Sequence, residues 1–582
     1  MNKTETTIVV LLFVVLMAWF YFQSIFQAPP QAAPESLPLV PESVEPVDGN
    51  PDLTPPVLQT PQVREPTLEP VADEAGERLP EQLAELANSD MRLTLTSWGG
   101  AIKSVELSAY RSLLAADSSP VELDFSASPA LSYEGIPGLT AGQDFDLAVN
   151  DNGLEAEVSR RTAGGLVFRR TIRIEPSGYR VAIMDHFRNA SGEVVKLPSS
   201  GWVMGAMRLM EQGSSDKVAY LGIDTLADAG GKGVEHWSGK IPAWFGNKGS
   251  MLSCRSMPVH GMATSVTERA GTAMAWAAVK NKFFVQILAP AKAASDLEMR
   301  AVRKTGPEAA FALDAVSAAL MWPEQALAAD EIVVREAAYY VGPKLLHAVS
   351  QLGQHQDEIM EFGFFKPVCK LLLPLLNGIH QRVGNYGVAI ILLTILVKVL
   401  FWPITRKSTE SMKKMQAIQP EVAAVREKFK DKPEKMNQEV MALYKKHKVN
   451  PVSGCLPMLV QIPVFIALFT VLRSAVELRF ADFLWIRDLS EPENLLANVL
   501  PIPLNILPLL MTVTMVWQQT LTPTGGDPQQ KKMMTIMSVV MMFLFYKMAS
   551  ALVLYWTVSQ AISIGAILIQ RWRQSRVELK PA

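Results

Sequence analysis

Residues 386–403 read YGVAIILLTILVKVLFWP, and this stretch decides the fold. Only Thr394 and Lys398 interrupt its apolar run. As a helix, 18 residues reach about 27 Å, close to the roughly 30 Å hydrocarbon core of a bilayer. The stretch therefore reads as a membrane span with a cation inside it. An ammonium there is costly unless it is paired, hydrated or able to snorkel. Two readings stay open for Lys398. Either it lines a water-filled cavity, or it reaches towards Arg406, about 12 Å along the helix.

Working outward, Cys455–Leu472 is a second span and Leu500–Leu521 a third, despite Pro501, Pro503 and Pro508. Met533–Ile569 is 37 residues long, about 55 Å as helix, too long for one crossing. It divides into two spans turning near Lys547–Ser550. Near the start, Thr7–Phe22 is apolar and ends in Trp19, Tyr21 and Phe22, as at a membrane interface. With only Lys3 before it and no small-residue cleavage site after it, it reads as an uncleaved signal anchor. The chain is thus expected to cross the membrane six times, with five spans forming a helical core.

Charge orients the spans. Residues 406–448 hold 12 Lys or Arg against 6 acids, and the tail after Ile569 carries Arg571, Arg573, Arg576 and Lys580 against Glu578. Residues 474–499 hold only Arg479 and Arg487 against five acids. Basic loops stay in the cytoplasm, so six spans place both termini there.

The soluble portion lies between the first span and the rest. Residues 27–89 hold 13 prolines and 12 acidic residues but only two arginines, Arg64 and Arg78. Such a segment cannot bury enough apolar surface to order itself, and reads as an extended linker. From 90 to 341 the texture changes to period-two alternation. Met91, Leu93 and Leu95 alternate with Arg92, Thr94 and Thr96. Ile172 and Ile174 are followed, after a Ser177–Gly178 turn, by Tyr179, Val181 and Ile183. The pattern predicts antiparallel strands in one large β-sandwich outside the cytoplasm.

Residues 342–383 turn helical. Phe364, Val368, Leu371, Leu372, Leu375 and Ile379 share one face, so the segment reads as an amphipathic helix on the membrane surface, kinked at Pro374, or as a helix packed on the sandwich. In the cytoplasmic loop 406–450, Met415, Ile418, Val422, Val425 and Phe429 give one apolar face, and Met436, Val440, Met441 and Leu443 a second. Pro433 marks the turn of this helical hairpin. Its charge suits ribosomal RNA, anionic lipid or substrate; a merely solvated hairpin reads the same.

Polar side chains recur on the spans: Thr394, Gln461, Gln518, Gln519 and Thr557 join Lys398 as candidates for a hydrophilic groove. Met533, Met534, Met537, Met541 and Met542 crowd one span, as suits either a surface for varied apolar partners or ordinary packing. Cys254, Cys369 and Cys455 are far apart and form no ligand cluster. No nucleotide-binding, metalloprotease or nucleophile-elbow motif appears in a suitable context, so neither catalysis nor a cofactor or metal is expected.

Ordered stretches give the chain a family resemblance. They are Val383-Gly384-Asn385-Tyr386-Gly387, Leu393–Lys398, Trp402–Thr405, Met441–Lys445, Val449-Asn450-Pro451, Gly454–Pro457, Gln461–Phe465, Ser474–Arg479, Trp485–Ser490 and Leu552–Trp556. With them the last 240 residues resemble the YidC/Oxa/Alb family, and the whole chain its Gram-negative form. Trp98-Gly99-Gly100 and Asn281-Lys282-Phe283-Phe284 resemble that form's periplasmic domain. The resemblance implies a multi-pass inner-membrane insertase and chaperone with its large domain in the periplasm. It implies a groove open to cytoplasm and lipid with a basic residue in it, here Lys398; Thr394, Gln461, Gln518, Tyr555 and Trp556 are the further groove candidates. Lys398 stands where the family usually has arginine, which keeps the charge but not bidentate hydrogen bonding. The turn between the last two spans usually carries Pro and Gly; here it is Lys547-Met548-Ala549-Ser550. Expected partners are nascent membrane proteins, the Sec translocon, membrane lipids and the ribosome. Expected units are an anchor at 1–26, the linker 27–89, the sandwich 90–341, connecting helices 342–383 and a core 384–582. Two rivals are a small-solute transporter, which would want inverted repeats, and a tethered carbohydrate-active enzyme, which would want paired carboxylates in a cleft.

Overall fold

The computed structural model describes residues 79–115, 117–209, 221–228, 233–237, 265–303, 313–429, 432–447, 456–496, 503–521 and 528–578. The expected anchor Thr7–Phe22, the linker up to residue 78, Cys254, and residues 449–451, 454 and 455 of the family stretches lie outside the described residues.

The β domain is built of antiparallel strands, the largest sheets having nine and six strands. The alternation seen in sequence becomes a difference in burial. Met91, Leu93, Leu95, Ile172, Ile174, Val181 and Ile183 are buried, whereas Arg92 and Arg173 face solvent. Gly178, with φ +86, turns the chain between strands Leu166–Ile174 and Arg180–Asn189. β structure starts earlier than the expected boundary at Asp90. Strand Leu83–Ala87 pairs with Met91–Thr96, but Leu86 is its only fully buried side chain, so no apolar rhythm announces it. The domain ends on the strand Ile332–Pro343.

Facing residues of the two large sheets meet around a buried ion pair. Arg170 and Asp185 are both fully buried, on adjacent strands of the nine-stranded sheet. The guanidinium grips the carboxylate with two hydrogen bonds, 2.7 and 2.6 Å long, and donates a third to the carbonyl of Gly100. Tyr133 donates its hydroxyl to the same carboxylate at 2.8 Å, and its ring stacks on Trp202 of the six-stranded sheet. The charged atoms of this centre need such partners, because an unpaired charge in a dry core is very costly. Gly99 and Gly100 adopt φ +75 and +55, and a side chain on Gly100 would collide with Val158 and Phe145. The Trp98-Gly99-Gly100 stretch is thus a tight corner that delivers a carbonyl to Arg170.

Beyond Pro343 the described chain is helical: α1 Leu346–Ser350, α2 Lys366–Val383, α3 Tyr386–Ala417, α4 Gln419–Lys428, α5 Pro433–Lys446, α6 Leu456–Ser474, α7 Ile506–Leu521, α8 Pro528–Phe545 and α9 Ser550–Glu578. Helix α2 packs on α3 and α6 rather than on the β domain. Cys369, Leu372, Leu373 and Leu376 are its buried side, while Leu371 and Phe364, just before it, stay exposed. The apolar face assigned from sequence therefore splits: Leu372 turns inward and Leu371 outward.

The Gly384–Gly387 stretch is the corner between α2 and α3. Gly384, with φ +71, closes α2 by donating its N–H to the carbonyl of His380 at 2.7 Å, a left-handed position glycine adopts without strain. Asn385 caps α3, its side-chain oxygen accepting the N–H of Val388 at 3.1 Å. The ring of Tyr386 stacks on His380, and Gly387 leaves room for Phe483.

Helix α3 does not stop at Pro403 but runs on to Ala417. Beyond it α4 and α5 pair as the expected hairpin through Ile418, Val422 and Val440, with Val425, Leu443 and Tyr444 beside them. Met441, assigned to that face, is instead 47% exposed. Pro433 is the first residue of α5, where the missing N–H costs nothing. Helix α7 starts at Ile506, later than the expected Leu500, because the backbone of Leu504 is paired in both directions with Leu495. Helices α8 and α9 are separated by residues 546–549, where the long apolar run was expected to turn.

Two of these helices are long and apolar enough to cross a membrane, over Tyr386–Arg406 and Ser550–Trp572. Gln461–Ser474, Ile506–Leu521 and Met534–Phe545 are apolar over shorter lengths. Large apolar side chains on α3 and α8 point outwards, Leu400 and Phe543 each 70% exposed. A surface of that kind asks for hydrocarbon, not water.

Candidate functional site: a polar seam between three helices

Helix α9 packs against α3, α6 and α7, and polar groups gather where it meets the first two. Lys398 of α3 donates to the hydroxyl of Ser563 on α9 at 3.0 Å. Ser563 in turn donates to the carbonyl of Ser559, one turn back, at 2.9 Å. Among the described residues Lys398 forms no ion pair. A second link crosses from α6, where Gln461 donates its amide to the hydroxyl of Tyr555 at 2.7 Å. Next to it, Trp556 meets Phe465 of α6 edge-on at 4.7 Å and Phe545 of α8 at 5.4 Å. The indole N–H of Trp556 is buried without a hydrogen-bond partner among the described residues. An unpaired donor in such a place carries a desolvation penalty of about 1–3 kcal/mol.

The other candidates sit apart from this seam. Thr394 is fully buried and returns its hydroxyl to Ile390 of its own helix at 2.6 Å. Thr557 does the same to Val553. Gln519 donates to the carbonyl of Met534 and the hydroxyl of Ser538, tying α7 to α8. Its neighbour Gln518 is half-buried on α7. Sequence reasoning passed over Ser559 and Ser563. Their signal was there: Trp556, Ser559 and Ser563 recur at positions i, i+3 and i+7, one face of a helix.

Among the described residues one group has donors spaced for a metal ion, Asp224, His236 and Glu361 of the β domain and its exit. Its central position is filled by a side chain. The ammonium of Lys280 lies 2.5 Å from Asp224 and 2.8 Å from Glu361. Burial alone would raise the Asp224 carboxyl, but Lys280 and His236 hold it below its ordinary value. Burial would likewise lower His236, and Asp224 outweighs it and raises it. The cluster is a buried ion-pair network that fastens the β domain to the segment leading into α2.

The fold and the seam define a helical membrane protein that carries a large β domain ahead of its helices. Family models agree over nearly the whole of this region. One described as "YidC periplasmic domain" matches residues 84–375, and one described as "60Kd inner membrane protein" matches residues 378–576. The membrane protein insertase YidC of Geobacter sp. (strain M21) is 33% identical over 462 residues, covering 79% of this chain and 76% of the relative. That of Nitratidesulfovibrio vulgaris (strain DP4) is 33% identical over 504 residues, covering 83% and 84%. A solved structure described as an active YidC insertase with its first transmembrane domain resolved aligns at 16% identity, TM-score 0.35, over 84% of this chain and 92% of that one. The chain belongs to the YidC family of membrane protein insertases. It is an inner-membrane protein with a periplasmic β domain, it inserts membrane proteins, and it is not an enzyme. The solute-transporter alternative finds no support in these relatives.

Proposed function

We propose that insertion runs along the seam of α3, α6 and α9, with Lys398, Gln461, Tyr555 and Trp556 lining a hydrophilic groove and Thr394 and Gln518 behind and beside it. The observation that carries this reading is the bond of Lys398 to the Ser563 hydroxyl, with no ion pair to Lys398 among the described residues. An ammonium held by a neutral hydroxyl keeps most of its charge free to act, and in a poorly hydrated site that charge acts over a longer range than in water. The groove solvates the polar tail of an incoming chain part-way across, which lowers the barrier to its passage. The exposed apolar surfaces of α3 and α8 then lead the hydrophobic segment into lipid.

In this reading the chain crosses six times, with the stretch 7–22 as first span, α3, α6, α7, α8 and α9 as the core five, and both termini cytoplasmic. The unit boundaries are those expected from sequence, with the β domain extended back to Leu83. The basic hairpin and tail meet the ribosome or anionic lipid, and the Sec translocon and a chaperone role follow from the family resemblance. The test is insertion into proteoliposomes of matched substrates that differ only in tail charge. Lys398→Arg should insert both normally. Lys398→Ala should slow the acidic-tailed substrate more than the neutral one. Equal insertion of both by the Ala variant and the parent protein would overturn the electrostatic role.

A further inference from the structure

The Asn281–Phe284 stretch has no place in the groove, yet it reaches the groove in two steps. Asn281 shapes the turn between strands Met274–Lys280 and Phe284–Pro290, its side-chain oxygen accepting the N–H groups of Phe283 and Phe284 at 3.1 and 2.9 Å. That turn presents Lys282 outward to the loop between α6 and α7. There Lys282 forms a 2.6 Å ion pair with Glu491 and donates to the carbonyl of Ser490 at 3.1 Å. Both side chains of the pair are only 16% exposed.

The same loop, through Glu491 and Leu489, receives the start of α9. The carbonyl of Glu491 accepts the N–H and the hydroxyl of Ser550, at 2.9 and 2.7 Å, and the carbonyl of Leu489 accepts the N–H of Ala551 at 2.9 Å. These are first-turn donors that have no acceptor inside their own helix. Asp488 stiffens the loop by accepting from Phe480 and from both the N–H and hydroxyl of Ser490. From Ser550, α9 runs unbroken past Tyr555 and Trp556 to Ser563, about 20 Å along its axis. A helix of that length moves as a rod, so a shift at its start is felt at the seam.

We propose that Lys282 is a positioning residue for insertion: by holding Glu491 it fixes the first turn of α9 and hence the placing of Tyr555, Trp556 and Ser563 opposite Lys398. The periplasmic domain then acts on the groove through a defined contact and not merely as a spacer. This rests on the reading that the substrate passes the seam.

The test uses full-length protein in proteoliposomes, with a photo-reactive amino acid at position Ser559 and an acidic-tailed substrate. The parent protein should crosslink to the substrate. Lys282→Glu and Glu491→Lys should each lower crosslinking and insertion at least about fivefold, since each reversal sets two like charges together in a largely buried contact. The double swap should return both to within about twofold of the parent. Glu491→Gln, which keeps the shape and removes only the charge, should fall in the same direction at an unchanged melting temperature. A parent protein that gives no crosslink would overturn the groove reading, and this proposal with it. Normal crosslinking in the parent and in Glu491→Gln, or a double swap no better than the single changes, would leave the groove standing and overturn the role of Lys282.

Discussion

The ring of Phe483 occupies the space that a β-carbon on Gly387 would fill. Gly387 lies in the first turn of α3, and Phe483 belongs to the α6–α7 loop, bridged to Ile486 by a mutual pair of backbone hydrogen bonds. Asn385 adds a bond to the carbonyl of Asp482 at 3.0 Å. A side chain at position 387 therefore has to push the loop away. Gly387→Ala should destabilise the protein by about 1–3 kcal/mol, the usual range for overpacking. A lower melting temperature in detergent and faster proteolysis of the loop are the measurements. Adding Phe483→Ala should recover part of the loss, since it removes the colliding ring.

The Arg170–Asp185 pair gives a second prediction. Asp185→Ala leaves a guanidinium in the core with no counter-charge, so the β domain should lose about 3–5 kcal/mol. Replacing both residues by leucine should cost less than the single change, because the Arg170 guanidinium is no longer left without its partner. Thermal unfolding of the two variants, followed by near-ultraviolet dichroism, separates these outcomes.

Lys344 is a third case, where stability should depend on pH. It is buried just past the last strand, and burial together with the nearby Lys280 lowers it to about 7 from an ordinary 10.5. Below pH 7 it carries its proton both folded and unfolded, and the buried charge penalises the fold. Between about 7 and 10.5 the folded chain sheds that proton while the unfolded chain keeps it, so this residue's contribution to stability improves as pH rises. Lys344→Met should raise the melting temperature most at pH 6 to 7 and progressively less towards pH 10. A gain that does not change with pH would argue that the extra stability comes from packing alone.

The fourth prediction concerns topology. Glu410 and Arg487 are exposed, on α3 and on the α6–α7 loop. Single cysteines at these two positions should behave oppositely in cells whose outer membrane is permeabilised. An impermeant thiol reagent should label position 487 and spare position 410 until the inner membrane is broken. Labelling of 410 from outside would refute the six-span arrangement.

The sequence disclosed the fold best where one period governs a whole element. The alternation around Met91–Leu95 and Ile172–Ile183 passed directly into burial, and the long apolar run of α3 into helix. It disclosed less where burial depends on a partner. Leu86 reads as linker until Met91–Thr96 lies beside it, and Leu371 and Leu372 are alike in sequence yet face opposite ways on α2. In the candidate site, Lys398 stood out because a charge inside an apolar run is conspicuous. Ser563, its hydrogen-bond partner, did not, because a serine on a helix is ordinary until something across the interface needs it. Thr394 misled in the other direction. It is polar by composition, but its hydroxyl is used within its own helix.

The break between α8 and α9 has neither proline nor glycine, and its support comes from elsewhere. Tyr546 gives its hydroxyl to the carbonyl of Pro503 at 2.8 Å, while its own carbonyl takes the amide of Asn505 at 2.6 Å. Both partners precede it by about 40 residues in the chain. They leave the ribosome before it, so the contacts that shape this turn close only once Tyr546 has been made. The geometry of this turn is thus held by the segment before α7, and not by its own residues.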